Sequence, residues 1–192
     1  MELTFASNNK NKLFEIQKMV PEKIKIQTLM GAGITENIPE PFFTFKENAW
    51  AKADYVFKKT GRSCFAEDSG LVVPALNNEP GVFSARYAGE PSNDESNNNK
   101  LLKNIEEIED KHAYYQAVIC LILGNEIYYF EGKCAGKITL NPTGSGGFGY
   151  DPLFIPQGFD KTFAEFSLEE KNKISHRAKA MKGLVAFLNE QF

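Results

Sequence analysis

The chain has little cysteine, tryptophan or histidine: three, one and two of these in 192 residues. Cys64, Cys120 and Cys134 are odd in number, sit in apolar contexts and lack metal-ligand spacing, which excludes a disulfide scaffold and a zinc site and predicts buried reduced thiols. No apolar run approaches the roughly 18 to 20 residues that span a bilayer, and Met1-Glu2-Leu3-Thr4-Phe5 carries no basic leader, so a soluble cytoplasmic protein is expected. Positive charge is not in excess. With 22 Lys and Arg against 25 Asp and Glu, the net charge of -3 gives no broad field for polymeric DNA or RNA. Repeats, heptads and low-complexity tracts are absent too, as is any spaced Ser/His/Asp set for covalent catalysis.

What remains is a chain 42% hydrophobic, long enough for one substantial core and read as a single domain over 1–192, with room for two lobes. Residues 2 to 6 read as a strand entering a polar loop and then a helix with Leu13, Ile16 and Val20 at helical spacing. Ile24 to Thr28 alternates like a strand. Phe45, Ala49, Ala53 and Val56 share one face of a second helix, and a strand through Cys64 to Ala66 is expected to end at an acidic corner. Ser92 to Glu95 and Ser167 to Glu170 fit capping boxes, the second opening the last helix with Met181, Leu184, Val185 and Leu188 inward. Gly124-Asn125, between Ala113–Leu123 and Ile127–Phe130, predicts an antiparallel hairpin whose second arm can run to Leu140. Strands interleaved with helices and a hairpin give an α/β fold on a mixed sheet.

Four segments carry chemistry. Ser7-Asn8-Asn9-Lys10-Asn11-Lys12 lies between a strand and a helix, where open backbone N–H groups favour a phosphate and Lys12 supplies counter-charge; a plain polar helix cap reads the same way. Glu67-Asp68-Ser69-Gly70 sets two carboxylates side by side after a buried strand. Alternation lets only one face a site, where Mg²⁺ is the hard ion that suits carboxylate and phosphate oxygens together; Glu40 and Glu47 are candidate further contacts. Gly144 to Gly149 matches Gly-x-Gly-x-x-Gly, but Tyr150 to Pro156 opens no helix, so a dinucleotide fingerprint is excluded. The glycines can instead admit a ligand beside Phe148 or Tyr150. Lys171, Ser175, His176 and Arg177 cluster near a helix, and two donors from His176 and Arg177 suit a purine O6.

In this order the segments resemble the inosine triphosphate pyrophosphatase family, the Ham1 or RdgB-like purine nucleoside triphosphate pyrophosphatases. The likeness runs through Ser7 to Lys12, Phe45 to Ala49, Glu67 to Leu71, Pro80 to Gly89, Gly146 to Pro152 and Glu170 to Arg177. It implies an elongated central mixed sheet flanked by helices, two lobes with a cleft, a homodimer, and Mg²⁺-dependent hydrolysis of ITP, dITP and XTP to monophosphate and pyrophosphate. It further implies that Ser7 to Lys12 hold phosphate and that Asp68 is the metal-linked general base, with Glu40 a second metal ligand. Ser69 and Lys171 would meet substrate, Phe148, Gly149, Tyr150 and Asp151 line the base and sugar pocket, and His176 with Arg177 read the base.

Two departures stand out: Asn8 where many relatives have Gly, and Glu67 where bacterial relatives often have Asp. A Maf-like pyrophosphatase acting on pyrimidine or modified nucleotides, and a nucleotide-binding regulator without catalysis, remain open at this point.

Overall fold

In the computed structural model, which describes residues 1–191, the elements follow as β1 (Glu2–Phe5), α1 (Lys10–Gln17), β2 (Lys25–Gln27), α2 (Phe45–Thr60), β3 (Cys64–Val72), α3 (Asp94–Ile105), β4 (His112–Leu123), β5 (Glu126–Ile138), β6 (Phe154–Pro156), α4 (Leu168–Ile174) and α5 (His176–Gln191). The strands form one mixed sheet in the order β2-β1-β3-β4-β5-β6. Leu3 pairs with Ile26 and Phe5 with Phe65 in parallel, and Lys137 pairs with Ile155 antiparallel. This is the mixed α/β architecture expected.

The chain separates into two compact units, one from Met1–Asp68, Ala117–Gly132 and Arg177 on, the other from Ser69–Gln116 and Lys133–His176. In the first, both sheet faces are covered, as parallel strands require. Alternation assigns each side chain. Leu3, Phe5, Phe65, Ala117, Ile119 and Leu121 pack with Ile16 of α1 and with Ala180, Met181, Leu184 and Leu188 of α5. Ala6, Cys64, Ala66, Cys120 and Ile122 take the opposite face with Ala49, Ala53 and Val56 of α2. Phe5 and Phe65 stack at 4.9 Å with neither exposed, each contributing roughly 1.5–3 kcal/mol through burial.

The second unit has its own core, in which Leu71, Leu101, Ile105, Tyr115, Ile138, Leu153, Phe154 and Phe163 meet. All three cysteines are buried thiols outside any disulfide among the described residues.

Three local expectations change. β3 does not stop at Ala66 but continues through Glu67, Asp68, Ser69 and Gly70, because Gly70 lets Ser84 Oγ and the Gly81 carbonyl approach to where a Cβ would sit 2.3–2.4 Å from them. The α3 cap is Asn93, accepting from Ser96 N, since Ser92 turns its hydroxyl to the Ala85 carbonyl. The Ser167 capping box forms as expected, but its helix ends at Ser175, whose extended backbone (ψ 158°) starts a new helix with His176.

Candidate active site

The strand period that sorts the core also sorts the acids. Glu67 shares parity with Phe65 and so lies on the face of α1 and α5, while Asp68 shares parity with Ala66 and faces α2. Arg177, 1% exposed at the start of α5, grips Glu67 in two prongs, Nε to Oε2 at 2.7 Å and Nη2 to Oε1 at 2.9 Å, and Nη1 donates to Glu15 Oε2. Lys12 Nζ stands 3.7 Å from Glu67 Oε1. On the other face Lys52 Nζ lies 2.8 Å from Asp68 Oδ1 and 2.5 Å from Glu40 Oε1.

Burial sets the charge balance of this cluster. For Asp68 it pushes the carboxyl pKa up, against the pull of Lys52 and Lys12, so the carboxylate is a better base than an exposed one. For Lys12 burial lowers the ammonium pKa more than Glu67 restores it. Lys52 ends above its ordinary value: burial lowers it, and Asp68 and Glu40 together outweigh that. Arg177 is likewise raised, burial being outweighed by Glu67 and Glu15.

The Ser7–Lys12 loop opens α1. Asn9 is its N-cap, accepting from Lys12 N at 3.0 Å, and Ser7 Oγ accepts from Asn9 N at 3.2 Å. Asn8 donates to Asn37 Oδ1. Asn8, Asn9, Lys10 and Asn11 are exposed, Ser7 and Lys12 half-buried, and the N–H groups of Lys10 and Asn11, in the first turn of α1, lack intrahelical acceptors.

The second unit holds a separate constellation. The His176 imidazole, 4% exposed, stacks on Tyr115 with centroids 4.6 Å apart and planes 8° from parallel. Asp151 Oδ2 accepts from Lys171 Nζ at 2.6 Å and from Phe148 N at 3.0 Å, and the Lys171 ammonium sits 5.0 Å from the Phe148 ring centroid. Gly147, at φ 71°, has to be glycine because a Cβ would fall 2.0 Å from Asp151 Oδ2. Gly149 is held by Asp94, which accepts from its N–H at 2.7 Å, and by Asn98, which donates to its carbonyl. Ser69, half-buried, begins this unit.

Some expected contacts are redistributed. Tyr150 is a core residue, its hydroxyl donating to the Ser84 carbonyl at 2.8 Å, which leaves Phe148 as the partly exposed aromatic of the glycine loop. The Arg177 guanidinium donates to Glu67 and Glu15, two carboxylates of its own unit. Glu47 is occupied as the N-cap partner of Thr44. Sequence reasoning passed over Glu15, Lys52, Asp94 and Tyr115. A signal existed for Lys52: it sits on the buried stripe of α2 among Phe45, Ala49, Ala53 and Val56, where a lysine needs partners.

For a metal, the donor set is Asp68 with Glu40. Asp68 Oδ2 is buried and makes no hydrogen bond among the described residues, so one oxygen is left for a further contact. No cluster of three or more His, Cys, Asp or Glu suited to a metal occurs among the described residues. Two carboxylates fit an ion such as Mg²⁺, which keeps waters and takes substrate phosphate oxygens, and not a fully protein-caged ion. No described helix is long and apolar enough to cross a membrane.

With this geometry in place, comparison with known proteins is direct. The Ham1 family model matches residues 3–187. A dITP/XTP pyrophosphatase of Flavobacterium psychrophilum is 52% identical over 187 residues, covering 97% of this chain and 98% of that protein. One of Flavobacterium johnsoniae is 53% identical, covering 98% of each. The structure of the Staphylococcus aureus Ham1 protein superposes with a TM-score of 0.91 at 38% identity over the full length of both chains. By sequence and by fold, the chain belongs to the Ham1 family.

Proposed function

We propose that the protein hydrolyses deaminated purine nucleoside triphosphates, ITP, dITP and XTP, to the monophosphate and pyrophosphate, with Mg²⁺, in the cytoplasm and as a homodimer. The observation that carries the reading is the buried Asp68, its carboxyl pKa raised and one oxygen without a hydrogen bond among the described residues, beside the buried Lys52 and within the field of Lys12. That is a base and its counter-charges assembled for a polyanion. The names and identities of the relatives support the same substrate class.

In this reading Asp68 and Glu40 hold the metal, which when bound supplies charge to phosphate oxygens and makes water more acidic. Asp68 orients the attacking water and takes its proton. Lys12, Lys52 and the N–H groups of Asn8, Lys10 and Asn11 take the charge that develops on phosphate. At the other constellation Phe148, Gly149 and Asp151, with Lys171 and Ser69, receive the sugar and base. His176 donates to O6, an oxygen that adenine replaces with an N6 donor, and so leaves ATP with an unpaired site. Arg177 acts by fixing the start of α5 to Glu67 and Glu15.

The test is product analysis with ITP, XTP, GTP, ATP and UTP, with and without Mg²⁺. Pyrophosphate released from ITP and XTP in preference to ATP is the expected result. Stepwise orthophosphate, equal turnover of ATP, or a preference for UTP would count against it.

A further inference from the structure

An ammonium lies at the point where the two proposed metal ligands converge. Lys52 Nζ is 2.5 Å from Glu40 Oε1 and 2.8 Å from Asp68 Oδ1, and its side chain is 7% exposed. We propose that Lys52 closes this carboxylate pair against free divalent cations, so that the ion enters in company with a polyphosphate anion and not alone. The inference rests on the reading above, in which Glu40 and Asp68 bind the metal.

The charges around the pair give the reason. Ion pairs join Glu15, Glu40, Glu67 and Asp68 to Lys12, Lys52 and Arg177, so the carboxylates already have cationic partners. A dication arriving alone has to push Lys52 off its two carboxylates. It then leaves a buried ammonium without partners and next to a like charge, and both costs are large where water is scarce. A triphosphate arriving with the ion removes both. Its oxygens accept the hydrogen bonds Lys52 gives up and complete the ion's shell. Glu40 is the wetter ligand, 28% exposed against 8% for Asp68, so exchange starts from its side.

If Lys52 were only a strut, removing it would loosen the fold without improving cation binding. The two roles therefore diverge in one measurement, Mn²⁺ titration of the nucleotide-free full chain followed by calorimetry. Lys52→Met and Lys52→Gln are expected to bind Mn²⁺ at least about tenfold more tightly than the native protein. Lys58→Met, on the same helix but with an exposed lysine paired to Asp54, is expected to match the native protein. Equal affinity in the native protein and in either Lys52 variant that melts cooperatively overturns the proposal. So does micromolar Mn²⁺ binding by the native protein without nucleotide, a result that needs no variant. Turnover of ITP in the complete absence of divalent cations would instead sink the functional reading itself.

Discussion

Arg177 and Glu67 lie 110 positions apart in the sequence and are joined by two parallel hydrogen bonds of 2.7 and 2.9 Å, which tie the start of α5 to the strand that carries Asp68. Glu15 of α1 takes a third N–H of the same guanidinium. A buried arginine so held is strongly raised in pKa and stays charged at any working pH. Removing it takes the guanidinium away from two buried carboxylates. Arg177→Met should lose about 3 to 5 kcal/mol of stability, read as a lower urea midpoint with unchanged slope. Glu15→Gln should cost clearly less, because Glu67 still holds the guanidinium. Native-like stability in Arg177→Met would mean the triad contributes nothing.

That triad explains what the sequence could and could not reveal. The order of strands and helices, the two-sided core and the stripes on α2 and α5 follow from periodicity, which is local. The motifs around Ser7, Asp68, Lys171 and His176 were likewise readable as segments. Partnership was not: nothing near Arg177 in the sequence announces Glu15 and Glu67. The strand end expected at the acidic corner after Ala66 failed for a similar reason. Ser-Gly has turn chemistry, but here Gly70 is needed for close approach by Ser84 and Gly81, a tertiary demand.

Asp68 is the residue on which turnover depends in the proposed reaction. Asp68→Asn keeps the side-chain shape and a hydrogen bond to Lys52, so the protein should fold and lose about 10² to 10⁴ in kcat. The pH profile adds a sign. Burial raises the Asp68 carboxyl above its ordinary 3.8, so on acidification the base is protonated, and activity lost, at a higher pH than for an exposed aspartate. The pH dependence of kcat/KM for ITP, which reports the free enzyme, checks this. An acid limb at or below the ordinary value, or near-native rates for Asp68→Asn, would remove Asp68 as the base.

The glycine loop offers a paired test of why particular residues are glycine. At Gly147 an added methyl carbon meets Asp151 Oδ2 at 2.0 Å, whereas at Gly149 nothing lies within 4 Å, although both have positive φ, 71° and 63°. Gly149→Ala should therefore cost only the conformational strain, about 1 kcal/mol. Gly147→Ala bears the same strain and also displaces the carboxylate that holds Lys171 and Phe148 N. It should be the less stable of the two and raise KM for ITP more than it lowers kcat. Thermal melts and steady-state kinetics on the pair decide it; identical behaviour would leave Asp151 without the anchoring role.

The buried thiols supply a test on the alkaline side. Burial pushes both Cys64 and Cys120 up from 9.0 to about 12, so the folded protein keeps thiol protons that the unfolded chain releases near pH 9. Between those values the folded state binds more protons than the unfolded, and stability from these groups falls as pH rises from about 9 to about 12, with no loss below 9. A double variant, Cys64→Ala with Cys120→Ala, should show a shallower fall in urea midpoint across that window than the native protein. The same burial predicts slow reaction with a thiol reagent at pH 8 until denaturant is added, since thiolate and access are both lacking. Rapid labelling of Cys64 or Cys120 in the folded protein would show that the α2 face of the sheet opens far more readily than its packing implies.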